Sequence, residues 1–542
     1  MLRIQNKQMS FYSVLYGKIP KDHTLKKINE AIDFSFVNDL LKSSYCEDFG
    51  RPAKEPELML RLLLLQMLYD LSDVRVIQEA SYNLAFLWFL GLNPEDSLPE
   101  ASLLAKFRTQ RLKEGTLDGI LTEIVCQCVE KGIIKGKGID VDATHVEANT
   151  IKKTPERMMR HLSRRVFAAL EEDLGRIPAS VDTDIPDVKG IEDHKEAKRI
   201  MHEYLLRVID QAEAVGGEKT KGVVNEAKDV LADEKFILQK GARSLVDKDA
   251  RVGYKSKTDS FFGYKAEFMM TAEERIITAV DVHSGEYADG GDFDALLERT
   301  LKSGMLVEEL YGDKAYFRKE ILERIDEIGA DSYIPVSACA YKLDEERFSY
   351  NKDSDQWFCF MGNHTVSKKR RTNKQNSVKG GMRAVDAYKF DVGQCVSCVH
   401  RQECLGSQGG KAKILRVSPS APLFYEHSQR QKEPEFAEKY AARAGIEWKN
   451  GEMKRFHGMD RARGFGLASV RTQVKLIALA VNLKRIGNIL LENEKEALKK
   501  KRDSLMRLFF VFFRPTFRLL YNKFTGIVFR SGLCGAAYES CP

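Results

Sequence analysis

Apolar residues recur at helical spacing in PELMLRLLLLQMLYDLSDVRVIQEA, and its strong helix formers predict a helical segment over residues 1–112. Within it, NLAFLWFLGL reads as an apolar turn or short helix stopped by Gly91, and DSLPEASLLAKFRTQRLKEG as a capped start followed by a basic helix. GKGIDVD, residues 136–142, is the first clear strand. A charged, helix-rich stretch follows over about 154–240, with TDIPDVKG as a loop inside it. FFGYKAEFMM (261–270) and RIITAVDVH (275–283) read as strands separated by TAEE, a hairpin spacing. DFDALLERTLKSG is then a helix stopped by Gly304, MLVEELYGD a strand ending at Asp313, FRKEILERIDEIG a helix and ADSYIPV a strand. Two antiparallel strands followed by this alternation predict an α/β fold. Residues 338–430 break the pattern, being polar, basic and cysteine-bearing, and read as an inserted subdomain; 432–457 and 467–490 return to helix.

Composition narrows the class. A chain of 542 residues exceeds one compact core, so roughly two to four domains are expected. With 43% hydrophobic and 30% charged residues, wholesale disorder, collagen and a polytopic membrane protein are disfavoured. The 10 cysteines are too sparse for a disulfide scaffold. MLRIQNKQMSFYSVLYGKIP lacks an apolar core followed by a small-residue cleavage site, which reads as untargeted and cytoplasmic. The Leu58–Leu68 run is broken by Arg61 and Gln66, and no membrane partner is expected.

Charge is unevenly placed. The net charge is +7, but Lys484 to Arg530 holds 12 basic and 4 acidic residues, a net of +8, leaving the rest near −1. Residues 368–383, KKRRTNKQNSVKGGMR, add seven bases and no acid. Basic segments on a near-neutral body fit a polyanion such as nucleic acid, and equally a solvated surface. LMRLFFVFFRPTFRLLYNKF (505–524) is aromatic and basic; with Pro515 interrupting it, docking on the core is the expectation, ahead of a membrane-surface or DNA-contacting helix.

Three acids carry candidate chemistry. Asp140 and Asp142, in IDVDATHVEAN, share one face of a strand, with Ile139 and Val141 on the other. Two acids on one face at a strand end suit a metal site, though a lone Asp there is usually a turn residue. Asp313, in ELYGDKAYF, stands where a strand gives way to Gly-Asp-Lys, a place where α/β sheets bind ligands and also where helices find N-caps. Glu447 lies in KYAARAGIEWKNGEMKRFHG, where Tyr440, Arg443, Glu447 and Lys454 follow the pattern Y-x2-R-x3-E-x6-K. That spacing puts them broadly on one helical stripe, with cations suited to phosphate oxygens beside a metal-held carboxylate. A salt-bridged surface helix is the plainer alternative.

The cysteines give a separate signal. Cys395 and Cys398 form C-x2-C in GQCVSCVHRQEC, Cys404 follows, and Cys359 stands upstream in WFCFMGNH. C-x2-C turns present two thiolates to one tetrahedral Zn²⁺, so the four predict a structural zinc site, with His364 and His400 in reserve and metal-free reduced thiols as the alternative. Cys46, Cys126, Cys128, Cys339, Cys534 and Cys541 read as ordinary core or tail thiols.

The order strand-Asp, strand-Asp, helix-Glu resembles the DDE transposases of bacterial insertion sequences, and Y-x2-R-x3-E-x6-K resembles the signature of one large branch of them. The resemblance extends from DFSFVNDLL, GRPAKEPELMLRLLLLQMLYDLSDVRVIQEA and FLWFLGL, through DKDARVGYKSKTDSFFGYKAEF and YGDKAYF, to GMDRARGFGLASVRTQVKLIALAVNLKRI. One departure is Glu100-Ala101-Ser102-Leu103, where the family more often has Asp-x-Ser-Thr. The resemblance implies an RNase H-like mixed sheet flanked by helices. It divides the chain into a helical DNA-binding domain (1–112), a catalytic domain (136–490) and a basic aromatic tail (491–542). The catalytic domain would carry a helical insertion (154–240) and a zinc-ribbon-like, cysteine-bearing insertion (338–430).

By the same resemblance the catalytic triad is Asp142, Asp313 and Glu447; Asp142 is preferred to Asp140 because Ala143 and Thr144 follow it, as a small residue and Thr follow the family's Asp. The three would hold two Mg²⁺ or Mn²⁺ ions, which stabilise attacking and leaving oxygens of an in-line displacement. Tyr440, Arg443 and Lys454 would position DNA phosphates. The implied activity is metal-dependent cutting of double-stranded DNA at transposon ends and transfer of the freed 3′-OH into target DNA, by a homodimer that brings two ends together. A repurposed or decayed DNA-binding protein and a metal-dependent nuclease that never joins strands are the other readings.

Overall fold

The structure is a computed structural model describing residues 9–46, 52–113, 115–233, 237, 241–256, 258–374, 382–405 and 410–530, and only the backbone for 373, 374, 382, 383 and 508–530. Its first strand, β1 (Gly138–Glu147), starts where predicted but continues past Asp142. The reason is its neighbour: β1 pairs antiparallel with β3 (Ser260–Thr271) from Ile139↔Thr271 to Glu147↔Gly263. β2 (Arg251–Tyr254) and β4 (Ile277–Ser284) share the far edge of β3. On its other edge β1 pairs parallel with β5 (Glu309–Tyr311), and β5 with β6 (Asp331–Tyr333). The six-stranded sheet is therefore mixed, with β2, β4, β3 and β1 antiparallel and β5 and β6 continuing from β1 in parallel. Near-continuous apolar text in β3, with Phe268, Met269 and Met270 all buried, matches a strand covered on both faces.

The helix Leu467–Arg530 joins this sheet to the N-terminal helices. Its Val474 to Leu483 stretch is buried between β4 and the helix Pro56–Leu68, whose apolar residues run all round it and are buried all round it. The N-terminal helices and the sheet thus share one apolar core. The helical insertion keeps its own: Met158, Leu162, Tyr204, Leu205 and Val224 close between the helices Pro155–Leu174, His194–Val215 and Glu218–Leu231.

The cysteine-bearing insertion is richer in strands than its polar text suggested. β7 (Phe348–Asn351) pairs with β8 (Gln356–Cys359), and β9 (Thr365–Lys374), β10 (Met382–Phe390) and β11 (Ile414–Val417) form an antiparallel sheet. Trp357, Tyr388 and Phe390 make its small core. The basic run 368–383 falls on β9 and the start of β10, with 375–381 outside the described residues.

The C-terminal reading needs correction. Pro515 does not interrupt the chain's last helix, which runs unbroken from Leu467 to Arg530. A proline inside a helix removes one N–H donor and crowds the carbonyl four residues back, a local cost of about 3 kcal/mol that the surrounding turns carry. Residues 492–507 are all exposed, while the side chains of 508–524, on which the docking expectation mostly falls, lie outside the described residues. Cys534 and Cys541 lie outside the described residues. Among the described residues, no helix is long and apolar enough to cross a membrane.

Candidate active site beside the central strand

Asp142 sits mid-strand on β1, not at a strand end. Its position is special for another reason. The β1–β5 register stops at Asp140↔Tyr311, so β1 runs past the end of β5 with one edge open. Two residues further along each strand bring Asp142 level with Asp313. Gly312 makes room there, since a Cβ on it would meet Val141 Cγ1 at 3.2 Å and Tyr316 Cβ at 3.3 Å. Asp313 is also the N-cap the alternative reading foresaw: its Oδ1 accepts from the Ala315 N–H at 2.8 Å and opens the short turn Lys314–Tyr316. The cap orients the carboxylate without removing its charge from the site.

The helix Ala444–His457 lies against β1, and its exit covers the open edge: the Glu147 N–H donates to Asp460 O at 2.9 Å and the Ala462 N–H to Glu147 O at 2.8 Å. Gly458, at φ +69°, permits the left-handed turn that ends this helix. The predicted single stripe from Tyr440 to Lys454 is not on one continuous α-helix. The helix Pro434–Tyr440 passes through a tighter turn, Ala441–Arg443, before the next begins. The tightening separates neighbours on the sequence stripe: Arg443 turns inward with its side chain 14% exposed, while that of Glu447 is 76% exposed.

Arg443 links the acids. Its Nη2 donates to Asp142 Oδ1 at 3.1 Å, and its Nη1 lies 3.6 Å from Glu447 Oε1. Asn450, which the sequence reading passed over, donates from Nδ2 to Asp142 Oδ2 at 2.9 Å. The available signal was its place three residues after Glu447 and four before Lys454, on one helical face. Lys454 Nζ is 3.1 Å from His145 Nδ1, on the same strand as Asp142. Tyr440 is half-buried, stacked on Phe436 with ring centres 6.1 Å apart, within electrostatic reach of Arg443, Asp313 and Asp142.

Electrostatics follow from this burial. Desolvation pushes the Asp142 carboxyl up to about 6, against the pull of Arg443 and with the charge of Asp313 adding to the rise. Asp140 is wholly buried; desolvation lifts it to about 7, with Arg443 pulling down and Asp142 pushing up. Burial, then Lys255, lower Lys454 to about 8, so it remains mostly protonated at neutral pH. Burial, then Lys454 and Lys255, hold His145 at about 4, as a neutral ring.

Among the described residues, four buried polar atoms here lack hydrogen-bond partners: both Asp140 carboxylate oxygens, Arg443 Nε and Asn450 Oδ1. Orphaned acceptors beside Asp142 and Asp313 fit a site that gathers a hard cation. The three predicted acids do not converge, however: among the described residues, no three His, Cys, Asp or Glu side chains are close enough to hold one ion. Carboxylates repel without a cation between them, and the Arg443 guanidinium faces both Asp142 and Glu447.

Cys359, Cys395, Cys398 and Cys404 do come together, lining one cavity floored by Phe348 and Phe390, although they too fall short of a metal-holding set. All four are free thiols. Burial raises Cys404, Lys413 and Arg347 draw it down, and Cys398 and Cys359 push it up again, as facing thiols do. In the basic N-terminal helix, Arg108 and Arg111 are engaged internally: Arg108 pairs with Asp73 at 2.5 Å, and Arg111 lies over the Tyr45 ring at 4.4 Å.

Comparison with known families gives two matches. Residues 13–110 match the transposase domain family DUF772, and residues 358–487 match a transposase DDE domain family. No curated protein and no solved structure matches the chain. The first match covers the helical N-terminus and the second spans the helix that carries Glu447, while Asp142 and Asp313 lie outside both. The two segments thus resemble transposase domains, and together they support a DDE transposase of insertion sequences.

Proposed function

We propose that this transposase cuts double-stranded DNA at transposon ends and joins the freed 3′ ends to target DNA, with Asp142, Asp313 and Glu447 as its catalytic acids. The observation that carries the reading is the side-by-side placement of Asp142 and Asp313 where β1 outruns β5, tied through Arg443 to Glu447. The strand order β4-β3-β1-β5-β6, antiparallel up to β1 and parallel beyond it, supports an RNase H-like core.

Asp142, Asp313 and Glu447 would hold two Mg²⁺ or Mn²⁺ ions, the exposed Glu447 side chain turning in to join the other two. Bound there, the ions would stabilise charge on attacking and leaving oxygens. The chain's own groups do the rest. Asn450 and Arg443 fix the rotamer of Asp142 from both sides. Once Arg443 is released from Glu447, its free guanidinium edge, with Lys454 and Tyr440, grips the phosphates flanking the scissile bond. In cutting, a water oxygen forms a bond to phosphorus and gives up a proton, the P–O3′ bond breaks, and the departing 3′-oxygen takes up a proton to become the 3′-OH. In joining, the new 3′-oxygen attacks a target phosphorus and displaces the target's own 3′-oxygen. One phosphodiester is exchanged for another, so no external energy source enters. Two ends meeting one target favour a homodimer on DNA, with the helical segment 1–112 and the cysteine-bearing insertion as its DNA-holding parts. The shared cavity supports zinc on Cys359, Cys395, Cys398 and Cys404 as the staple of that insertion.

The test is incubation of the purified protein with DNA carrying both ends that flank its gene, a target plasmid and Mg²⁺ or EDTA. Asp142→Asn, Asp313→Asn and Glu447→Gln run alongside. Joined products that need Mg²⁺ and vanish in all three variants are expected. Full activity in any one variant removes that acid from the triad, cutting without joining leaves a nuclease, and DNA binding with neither leaves a repurposed binding protein.

A further inference from the structure

The basic run on β9 is divided by the pleat. Side chains alternate across a strand, and directly paired residues share a face. Arg370 pairs with Asp386 on β10, and its guanidinium donates to that buried carboxylate at 2.7 and 2.9 Å. Lys368 pairs with Tyr388, sits over its ring at 5.0 Å and donates to Asp355 at 2.8 Å. This is the inner face, packed through Tyr388 and Leu415 on Trp357. The inner half of the run is therefore spent on holding the insertion together.

Lys369 and Arg371 point the other way. Lys369 stands opposite Ala387, and Ala387 opposite Arg416 on β11, so one row across all three strands reads Lys-Ala-Arg. The next row on one side holds Arg371 opposite Val385, and on the other Ser367 opposite Lys389. All four cations are exposed, and none makes an ion pair among the described residues. No acidic residue shares these rows. Strands lie about 4.8 Å apart and alternate residues about 6.8 Å apart, so four positive groups share a patch roughly 10 Å across the strands and about 14 Å along them, with Ser367, Val385 and Ala387 between them. Like charges gathered on one face repel one another. Ordinary exposed faces mix the two signs.

We propose that the outer face of β9, β10 and β11 is a platform for the duplex-DNA backbone, with Lys369, Arg371, Lys389 and Arg416 binding phosphates as a contact separate from the Asp142 site. The inference rests on the DNA-transposing reading above and adds to it a specific surface. Flatness and small residues between the cations suit a rigid polyanion. Among the described residues the face offers no aromatic side chain for stacking unpaired bases, which favours duplex over single strands.

The experiment is fluorescence anisotropy of the full-length protein on a labelled duplex of arbitrary sequence, between about 50 and 200 mM salt. The variant is Lys369→Gln/Arg371→Gln/Lys389→Gln/Arg416→Gln, and its charge-matched control is Arg176→Gln/Lys189→Gln/Lys195→Gln/Lys221→Gln, four exposed cations of the helical insertion. Each phosphate contact contributes about 0.9 to the slope of log affinity against log salt, so the first variant should lose about 3 to 4 and the control less than about 1. Circular dichroism and thermal melting establish that both variants are folded. A wild-type slope in the first variant overturns the platform alone, as does an equal loss in the control, which would mean a net-charge effect. A wild-type protein that does not bind duplex DNA overturns both the platform and the function it rests on. Loss of binding to anionic vesicles with the DNA slope intact would reassign the face to membrane surfaces and overturn it too.

Discussion

Replacing Asn450 by leucine isolates one contact in the site. Asn450 Nδ2 is the donor that holds Asp142 Oδ2, at 2.9 Å, and its own Oδ1 has no partner, so the substitution removes a single bond and strands nothing else on the asparagine. Asp142 keeps Arg443 at 3.1 Å on the other oxygen. Its carboxylate can then turn about that one anchor. A hydrogen bond to a charged group contributes about 1.5–3 kcal/mol, which as lost orientation corresponds to a roughly 10- to 150-fold slower cleavage step. The donor also favours the ionised form of Asp142, so its loss raises a carboxyl already lifted to about 6, and the acid side of the pH–rate profile should move to higher pH. Asn450→Asp should be worse, because a second carboxylate is set against Asp142 in place of a donor. The assay is single-turnover cleavage of labelled end DNA at saturating Mg²⁺ across pH. Cleavage within about twofold of wild type and an unmoved acid limb in Asn450→Leu would refute the reasoning.

Other outcomes follow from particular contacts. Because Asp142 titrates near 6, a metal must displace its proton below that pH; the Mg²⁺ needed for half-maximal cleavage should climb as pH falls through 6 and level off well above it, and a flat dependence would count against Asp142 as a ligand. Lys449, 3% exposed, is held by Glu452 at 2.8 Å, which Lys484 also meets at 3.1 Å, clamping the Glu447 helix to the long C-terminal one. Breaking a buried pair costs about 3–5 kcal/mol, or about 2–4 here because Glu452 keeps some solvent, so Glu452→Gln should speed amide exchange in that helix roughly 30- to 700-fold. A change under about threefold would show the clamp to be idle. Asn482 is buried and bonds both the N–H and the C=O of Ile277, at 2.8 and 2.7 Å; Asn482→Leu orphans both, each worth about 1–3 kcal/mol, and should lower the thermal midpoint clearly. If the four clustered cysteines hold zinc, atomic spectroscopy should find one ion per chain in the wild type and little in Cys398→Ser; equal content in both would remove it.

Much of the architecture was readable along the chain because it rests on local periodicity. The strands around 261–283 and the helices after Asp292 and Arg318 fall close to where alternation and helical spacing put them, and the charged stretch after Thr154 is helical. Asp142, Asp313 and the Arg443–Glu447 spacing were visible for the same reason, each being a short motif at an element's edge or on a helix face. The strands of the cysteine-bearing insertion were hidden, since TVSKKRRTNK buries so little that no apolar alternation announces β9. The run of the last helix through Pro515 was hidden by a residue that usually ends one.

What the sequence determined by itself was the order of elements and the kinds of side chain each one offers, because backbone periodicity and residue chemistry are local. Only the tertiary structure decided which of those side chains meet. The open edge of β1 beyond β5 sets Asp142 level with Asp313; a tight turn at Ala441–Arg443 turns Arg443 inward and Glu447 outward; the register of β9 on β10 spends Arg370 on Asp386 and leaves Lys369 and Arg371 facing solvent. Each of these depends on pairing between residues far apart in the chain, where a shift of one position would exchange the faces, and no local pattern encodes that choice.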